Sequence, residues 1–190
     1  MHSWHQQQNH PNVKLLGPID VLFGNSEIVF TLVNVYGPCS DREQFWNSLL
    51  TCSLISVPNL ILGGDLNFSL GIAESWGPLA SPDPLAKFFN SALSASNLVD
   101  IQTTKLQPTW RNRRTGSAAL ARRLDRFLIK QDLLPVLTRA RQWVGSGGKS
   151  DHSPIYLEFE CGPNRARPPF KFNSRWLRDP DYNQLVTRTW

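Results

Sequence analysis

Apolar positions along the 190-residue chain recur with two different periods, and the alternation between them predicts strands and helices in turn. Val21 to Phe23 and Ile28 to Tyr36 are β-branched and aromatic runs on either side of Gly24-Asn25, which predicts a hairpin. Pro38 to Asp41 breaks the second run; Ser40 or Asp41 can cap, and Phe45, Trp46, Leu49 and Leu50 then follow at helical spacing. Pro58 to Leu62 is apolar without alternation, as expected of a strand covered on both faces. It runs into Gly63-Gly64-Asp65, so a carboxylate stands at its C-terminal end. Residues 69–84 are rich in Gly, Pro and Ser and predict a loop, after which Leu85, Phe88, Phe89, Ala92 and Leu93 have amphipathic helical spacing. Further strands are expected over Thr109–Asn112, Arg123–Ile129 and Ile155–Glu160, with a short helix near Asp132–Thr138 and a strand near Arg141–Val144. This order predicts a layered α/β domain. From Cys161 onwards Gly162-Pro163-Asn164 and Pro168-Pro169 interrupt the pattern, and the sequence turns basic and aromatic, with a terminal helix expected from Pro180 to Trp190. Three parts result: a polar segment 1–17, a domain 18–160 and an extension 161–190.

Composition narrows the class. With 41% apolar and 11% aromatic residues the chain can build a core and is not a disordered polypeptide. No run approaches the roughly 18 apolar residues of a membrane span, and Met1 to Pro11 lacks the apolar stretch of a signal peptide. The expectation is an intracellular protein, nuclear or cytoplasmic, with no membrane partner. Cys39, Cys52 and Cys161 are widely spaced, have no CxxC pattern and are expected to be reduced, structural thiols. His2, His5 and His10 read as a polar terminus rather than a metal site.

Charge is uneven. Between residues 105 and 149 eleven Lys or Arg face only Asp125 and Asp132, a local excess of +9 in a chain of net +5. Such a run is ordinarily a solvated face; the other reading, a surface that neutralises phosphates, gains weight from Trp110 and Phe127 among the cations.

Four stretches carry candidate chemistry: Asn34-Val-Tyr36-Gly-Pro38, Gly63-Gly-Asp65-Leu-Asn67, Arg123-Leu-Asp125-Arg-Phe127 and Ser150-Asp151-His152-Ser-Pro154. Alone, Asp65-Leu-Asn67 is a turn, Asp125 a wet-face residue and Asp151-His152 a loop-to-strand junction. Together, all four lie at a predicted strand end or beside a loop, where an α/β sheet presents ligands and catalysts. They supply acceptor oxygens for a hard cation, a base, an imidazole and donors for charge developing on a phosphate.

In order, Val33-Asn-Val-Tyr36, Gly64-Asp65-Leu-Asn67, Arg123-Leu-Asp125-Arg-Phe-Leu128 and Ser150-Asp151-His152-Ser-Pro-Ile155 resemble the later motifs of the endonuclease/exonuclease/phosphatase superfamily, which includes DNase I and the apurinic/apyrimidinic endonucleases. The tail from Pro169 to Tyr182 is similar to the segment that follows the endonuclease in plant LINE-type retrotransposons. The resemblance covers about residues 18–160. It implies a DNase I-like α/β (α+β) fold, a four-layer β-sandwich flanked by helices, and a metal-dependent phosphodiester hydrolase that nicks DNA. A non-catalytic nucleic-acid-binding remnant and a phosphatase of the same superfamily are the alternatives. Asp65 would orient or deprotonate the attacking water, with Asn67 holding the same water or a phosphate oxygen. His152 would contact the scissile phosphate and Asp125 would fix its tautomer. Asp151, helped by Asp65, would hold Mg²⁺ or Mn²⁺, with no organic cofactor. Tyr36 would donate its hydroxyl to the phosphate or cap the sheet edge. Trp110, Arg111, Arg113 and Arg114 would form a DNA-facing loop, or a packed Trp beside a solvated turn.

The chain departs from the family at its start. Only 35 residues precede Tyr36, and the opening ten residues hold no carboxylate where the family places an Asn and then a metal-binding Glu. The expectation is an N-terminally truncated domain with weakened metal binding and a bare sheet edge.

Overall fold

The computed structural model describes residues 12–23 and 26–161, together with Tyr182, Gln184, Thr187 and Arg188. The Gly24-Asn25 turn, residues 1–11 with their histidines, and nearly all of the extension lie outside the described residues. The four described positions of the expected terminal helix are helical.

The predicted hairpin forms as β1 (Val13–Phe23) and β2 (Ser26–Val35), paired antiparallel, and β1 reaches back to Val13 inside the segment expected to lead in. β2 runs parallel to β3 (Leu60–Asp65), which pairs antiparallel with β8 (Asp125–Lys130). At the far side β5 (Leu98–Asp100), a strand the hydrophobic pattern is too short to announce, closes a five-stranded sheet of order β1-β2-β3-β8-β5.

Both faces of this sheet are covered, and period-two alternation assigns each residue to its face. Val33, Val35, Leu60, Leu62 and Leu128 point to one core, where α1 (Arg42–Thr51) and α2 (Ala86–Ala95) contribute Trp46, Leu49, Phe89 and Leu93. Phe30, Ile61 and Ile129 point to the other, packed against Leu137, Leu157 and Phe159 of an antiparallel ribbon made of β9 (Leu137–Val144) and β10 (Ile155–Cys161). Of the four layers implied by the resemblance, the described residues supply three: helices, sheet and ribbon. A small third sheet joins β4 (Ser75–Trp76), β7 (Ala121–Arg122) and β6 (Trp110–Arg111) at one end.

Three expectations are corrected. Asp132–Thr138 is not a helix but a short 3-10 turn, Gln131–Leu133, leading into β9. Pro135 removes the N–H that a helix would need there, and the residues from Leu137 are taken up by cross-strand pairing with β10. The 69–84 loop contains a 3-10 turn, Ile72–Glu74, and strand β4. Asp41 does occupy the N-cap of α1, but in a left-handed conformation (φ 51°) and without a side-chain capping bond.

The loop after β3 is anchored by aromatics. Phe68, fully buried, stacks on Phe89 with 4.2 Å between ring centroids and meets Trp46 edge-on at 5.1 Å. Burying such a ring contributes about 1.5–3 kcal/mol, and here it fixes the exit of the chain one residue beyond Asn67.

Candidate active site

Topology brings the four motifs to one edge of the five-stranded sheet. β2 and β3 are parallel and end together, at Val35 and Asp65, while the antiparallel β8 begins there, with Asp125 directly opposite Asp65. The close approach of these ends depends on glycine. A Cβ on Gly37 would lie 2.2 Å from the carbonyl oxygen of Leu66, and Gly64 has φ +135° with Val35 O equally close to its Cβ position.

His152 is carried in from another element. The segment before β10 adds to the small sheet through a bridge between Trp110 and His152, with Ser153 N donating to Thr109 O at 2.7 Å. Thr109 is fully buried, and its Oγ1 accepts from the main-chain N–H groups of Leu124 (3.0 Å) and Asp125 (2.9 Å). One threonine therefore ties the histidine loop to the strand carrying Asp125. Sequence reading passed it over, since a Thr in Pro-Thr-Trp has no local signature.

His152 Nδ1 lies 2.9 Å from Asp125 Oδ2. Nε2 lies 3.7 Å from Asp65 Oδ2, too far for a hydrogen bond and wide enough for a shared ligand. One ligand atom from each of Asp65, Asp125 and His152 falls within 4.8 Å of the others, a spacing that suits a metal ion. Asp151 is exposed, and its Oδ2 accepts from the indole N–H of Trp110 at 3.0 Å.

The electrostatics follow. Burial, then the charge of Asp125, pushes the Asp65 carboxyl up to about 6, overcoming the opposing pull of His152 and of the Asn67 N–H. Burial alone would depress His152, yet its bond to Asp125 and the charges of Asp125, Asp65 and Asp151 outweigh that and hold the imidazole above its usual value. The Trp110 bond holds Asp151 below the ordinary carboxylate range.

Asn67 sits in left-handed backbone (φ 57°), its N–H donating to Asp65 Oδ1 at 3.1 Å. Its Nδ2 donates to Gly37 O (3.0 Å) and to Cys39 Sγ (3.2 Å). Because Gly37 O only accepts, the amide orientation is fixed, and with both Nδ2 protons engaged Asn67 offers its Oδ1 as an acceptor. Cys39 is a free, exposed thiol beside the site. Tyr36 follows β2 at the same edge and is 56% exposed.

The basic segment divides. Arg123 and Arg126 are buried, not surface cations: together with Glu74 and Asp100 they form a closed network of two guanidiniums and two carboxylates. Arg141 pairs with Glu158 and Lys130 Nζ donates to Ser96 O. Arg111, Arg113, Arg114 and Lys149 remain exposed near the histidine loop, with an Arg113 guanidinium N–H bonded to Lys149 O. A sum over sequence counts charges irrespective of burial, which is why +9 overstates the surface.

No protein-family model matches the chain, and no curated protein does. Solved structures do. The endonuclease domain of TRAS1, a telomere-specific non-LTR retrotransposon, superposes with a TM-score of 0.59 at 20% identity, covering 84% of this chain and 67% of that one. The fold is DNase I-like. A 3'-5' exonuclease, NExo, from Neisseria meningitidis aligns with a TM-score of 0.54 at 18% identity over 77% of this chain and 72% of its own. An AP endonuclease from Archaeoglobus fulgidus gives 0.54 at 18% identity, over 82% and 81%. At such identities the likeness concerns architecture. No helix among the described residues is long and apolar enough to cross a membrane.

Proposed function

We propose that this DNase I-like domain is a divalent-metal-dependent phosphodiester hydrolase that nicks DNA in the service of a retroelement. The observation that carries the proposal is the Asp125–His152–Asp65 array: a histidine oriented through Nδ1 by one carboxylate, facing a second carboxylate across a 3.7 Å gap. Asp65, which burial and Asp125 push up to about 6 when no cation is bound, would accept a proton from water. Asn67 Oδ1 accepts the other proton of that water, which aims its lone pair. His152, whose protonated form its carboxylates favour, donates from Nε2 to the scissile phosphate as negative charge builds. Tyr36 donates from the β2 end of the same edge.

The donor set fits a hard cation. All anionic donors are oxygens, the described thiols, Cys39 and Cys52, stand outside the cluster, and two carboxylates, Asp65 and Asp125, group with one imidazole while Asp151 lies outside that group of three. Asp151 and Asp65 would hold Mg²⁺ or Mn²⁺, which when bound neutralises phosphate charge. Arg111, Arg113 and Arg114 would contact flanking phosphates. The retroelement assignment draws on the likeness to TRAS1 and on the tail from Pro169 to Tyr182.

A supercoiled-plasmid assay with Mg²⁺ and Mn²⁺ tests this. Nicking should fall by about 10²–10⁴-fold in Asp65→Ala and in His152→Ala. Equal activity in both variants and the parent chain would refute the proposal, and DNA retention without nicking would mark a binding remnant.

A further inference from the structure

Asn67 is held at its side chain by Gly37 and Cys39, but its main chain is held by a residue that the roles above leave unused. Arg42, the first residue of α1, donates from Nη1 to the carbonyl oxygen of Asn67 at 3.0 Å. The same guanidinium grips Asp83 with a two-point fork, Nη1 to Oδ2 at 2.7 Å and Nη2 to Oδ1 at 2.8 Å, and lies 5.7 Å from the centre of the Phe89 ring. Asp83 is itself immobilised: its side chain is 1% exposed and accepts from the N–H groups of Ser69 (3.2 Å) and Leu85 (3.0 Å). Three segments distant in sequence therefore meet at one guanidinium, and one of them is the Asp65-Leu-Asn67 turn.

The turn needs such a hold. Left-handed backbone is easier for Asn than for most non-glycine residues, but it is still sparsely populated and persists where the surroundings over-determine it. If Asn67 relaxed, its N–H would leave Asp65 Oδ1 and its amide would leave Gly37 O, so base and acceptor would lose alignment together. Arg42 is not presented to phosphate, since its fork is filled by Asp83 and its side chain is only 18% exposed. Lysine, a point donor without a planar fork, cannot reproduce the three contacts.

We propose that Arg42, oriented by Asp83, is a positioning residue for hydrolysis, acting through the Asn67 carbonyl to align the Asp65–Asn67 turn. This rests on the hydrolase reading of the site. The test compares the wild-type chain with Arg42→Lys and Asp83→Asn by steady-state nicking, DNA binding across a salt series, and amide hydrogen exchange. In folded variants kcat should fall by about tenfold to 100-fold while KM and the salt dependence of binding stay within twofold. Exchange of the Asn67 amide should accelerate while the Leu62 and Leu128 amides of the sheet keep their wild-type rates. Wild-type kcat in either folded variant, a loss carried by KM, or unchanged exchange at Asn67 would overturn the proposal. If Arg42→Lys does not fold, Asp83→Asn decides alone, and failure of both to fold would make the pair a scaffold and overturn it as well. If the wild-type chain does not nick DNA, the hydrolase reading fails, whereas the exchange measurement still reports whether Arg42 holds the turn.

Discussion

The start of β8 separates two groups of charges that differ in how completely they are matched. On one side Arg123 and Arg126 meet Glu74 and Asp100: Arg123 makes a two-point contact with Asp100 at 2.6 and 2.8 Å, and Arg126 reaches Glu74 at 2.9 Å, with further bonds to the carbonyls of Phe68 and Arg123. On the other side Asp65, Asp125 and Asp151 share the single imidazole of His152. The titration behaviour records the contrast. Burial would raise Glu74, but the charge and hydrogen bonds of Arg126, the Leu70 N–H and Arg123 overcome it and hold the carboxyl below its ordinary value. Asp65, similarly buried, has only His152 beside it, 3.7 Å away and without a hydrogen bond, and rises to about 6. A matched cluster builds structure, and an unmatched one is poised to take a ligand.

The comparison can be broken most forcefully from its matched side. Arg126→Met would leave two buried carboxylates with one guanidinium, and removing one partner of a buried ion network costs about 3–5 kcal/mol. Arg126 also lies 4.8 Å from the centre of the Phe68 ring, so packing under the Asn67 turn is lost with the charge. Thermal or urea unfolding should show the loss, and a variant with wild-type stability would mean that the network is not closed.

The unmatched side should respond in the opposite direction. Asp65 has a pKa of about 6 when folded and 3.8 in an unfolded chain, so the folded form holds the proton more tightly. The stability linked to this group is present below pH 4 and lost as pH rises through 6, on the order of 2–3 kcal/mol. His152, also raised from its ordinary value, adds a decline of the same sign as pH rises through its folded value. Asp65→Asn should therefore melt several degrees above the wild type at pH 7–8 while losing activity, and the gap should close near pH 4. Glu74 has the reverse sign: its contribution is present above pH 4.5 and is lost as pH falls through its depressed folded value. Melting curves from pH 4 to 8 check both, and an Asn variant no more stable than wild type at pH 8 would contradict the assignment of Asp65 as an uncompensated charge.

How much of this was legible in the sequence follows from the same contrast. The unbroken apolar run through Leu60, Ile61 and Leu62 announced a strand covered on both faces, as the two cores on either side of it bear out, and Asp65, Asp125 and His152 were readable because each sits in a short local motif. Their convergence is a property of strand ends, which the motif order already contained. The partners of Arg123 and Arg126 were not readable: Glu74 lies 49 and 52 positions away, in a stretch whose composition predicts only a loop, so the two arginines looked like surface charge. Arg42 and Asp83, 41 positions apart, were hidden for the same reason. Helical spacing over 132–138 misled because Pro135 and pairing with β10 decide that segment, and pairing is not a local property.

The smallest effects test the rim where the two readings of Trp110 meet. Its indole N–H is committed to Asp151, the carboxylate proposed above as a metal ligand, and so is not free to donate to a base. Trp110→Phe keeps a ring and removes the donor, so metal affinity measured by calorimetry should weaken by about tenfold, the low end for a partner of a metal ligand, with DNA affinity unchanged. Arg114→Ala should do the converse, leaving metal affinity alone and reducing the slope of log affinity against log salt by about 0.9 if one phosphate contact is lost. Arg113→Ala should change that slope less than Arg114→Ala, because part of its guanidinium is already occupied by Lys149 O. If Trp110→Phe weakens DNA binding and spares the metal, the indole belongs to the nucleic-acid surface, and the boundary between the site and its rim moves inward by one residue.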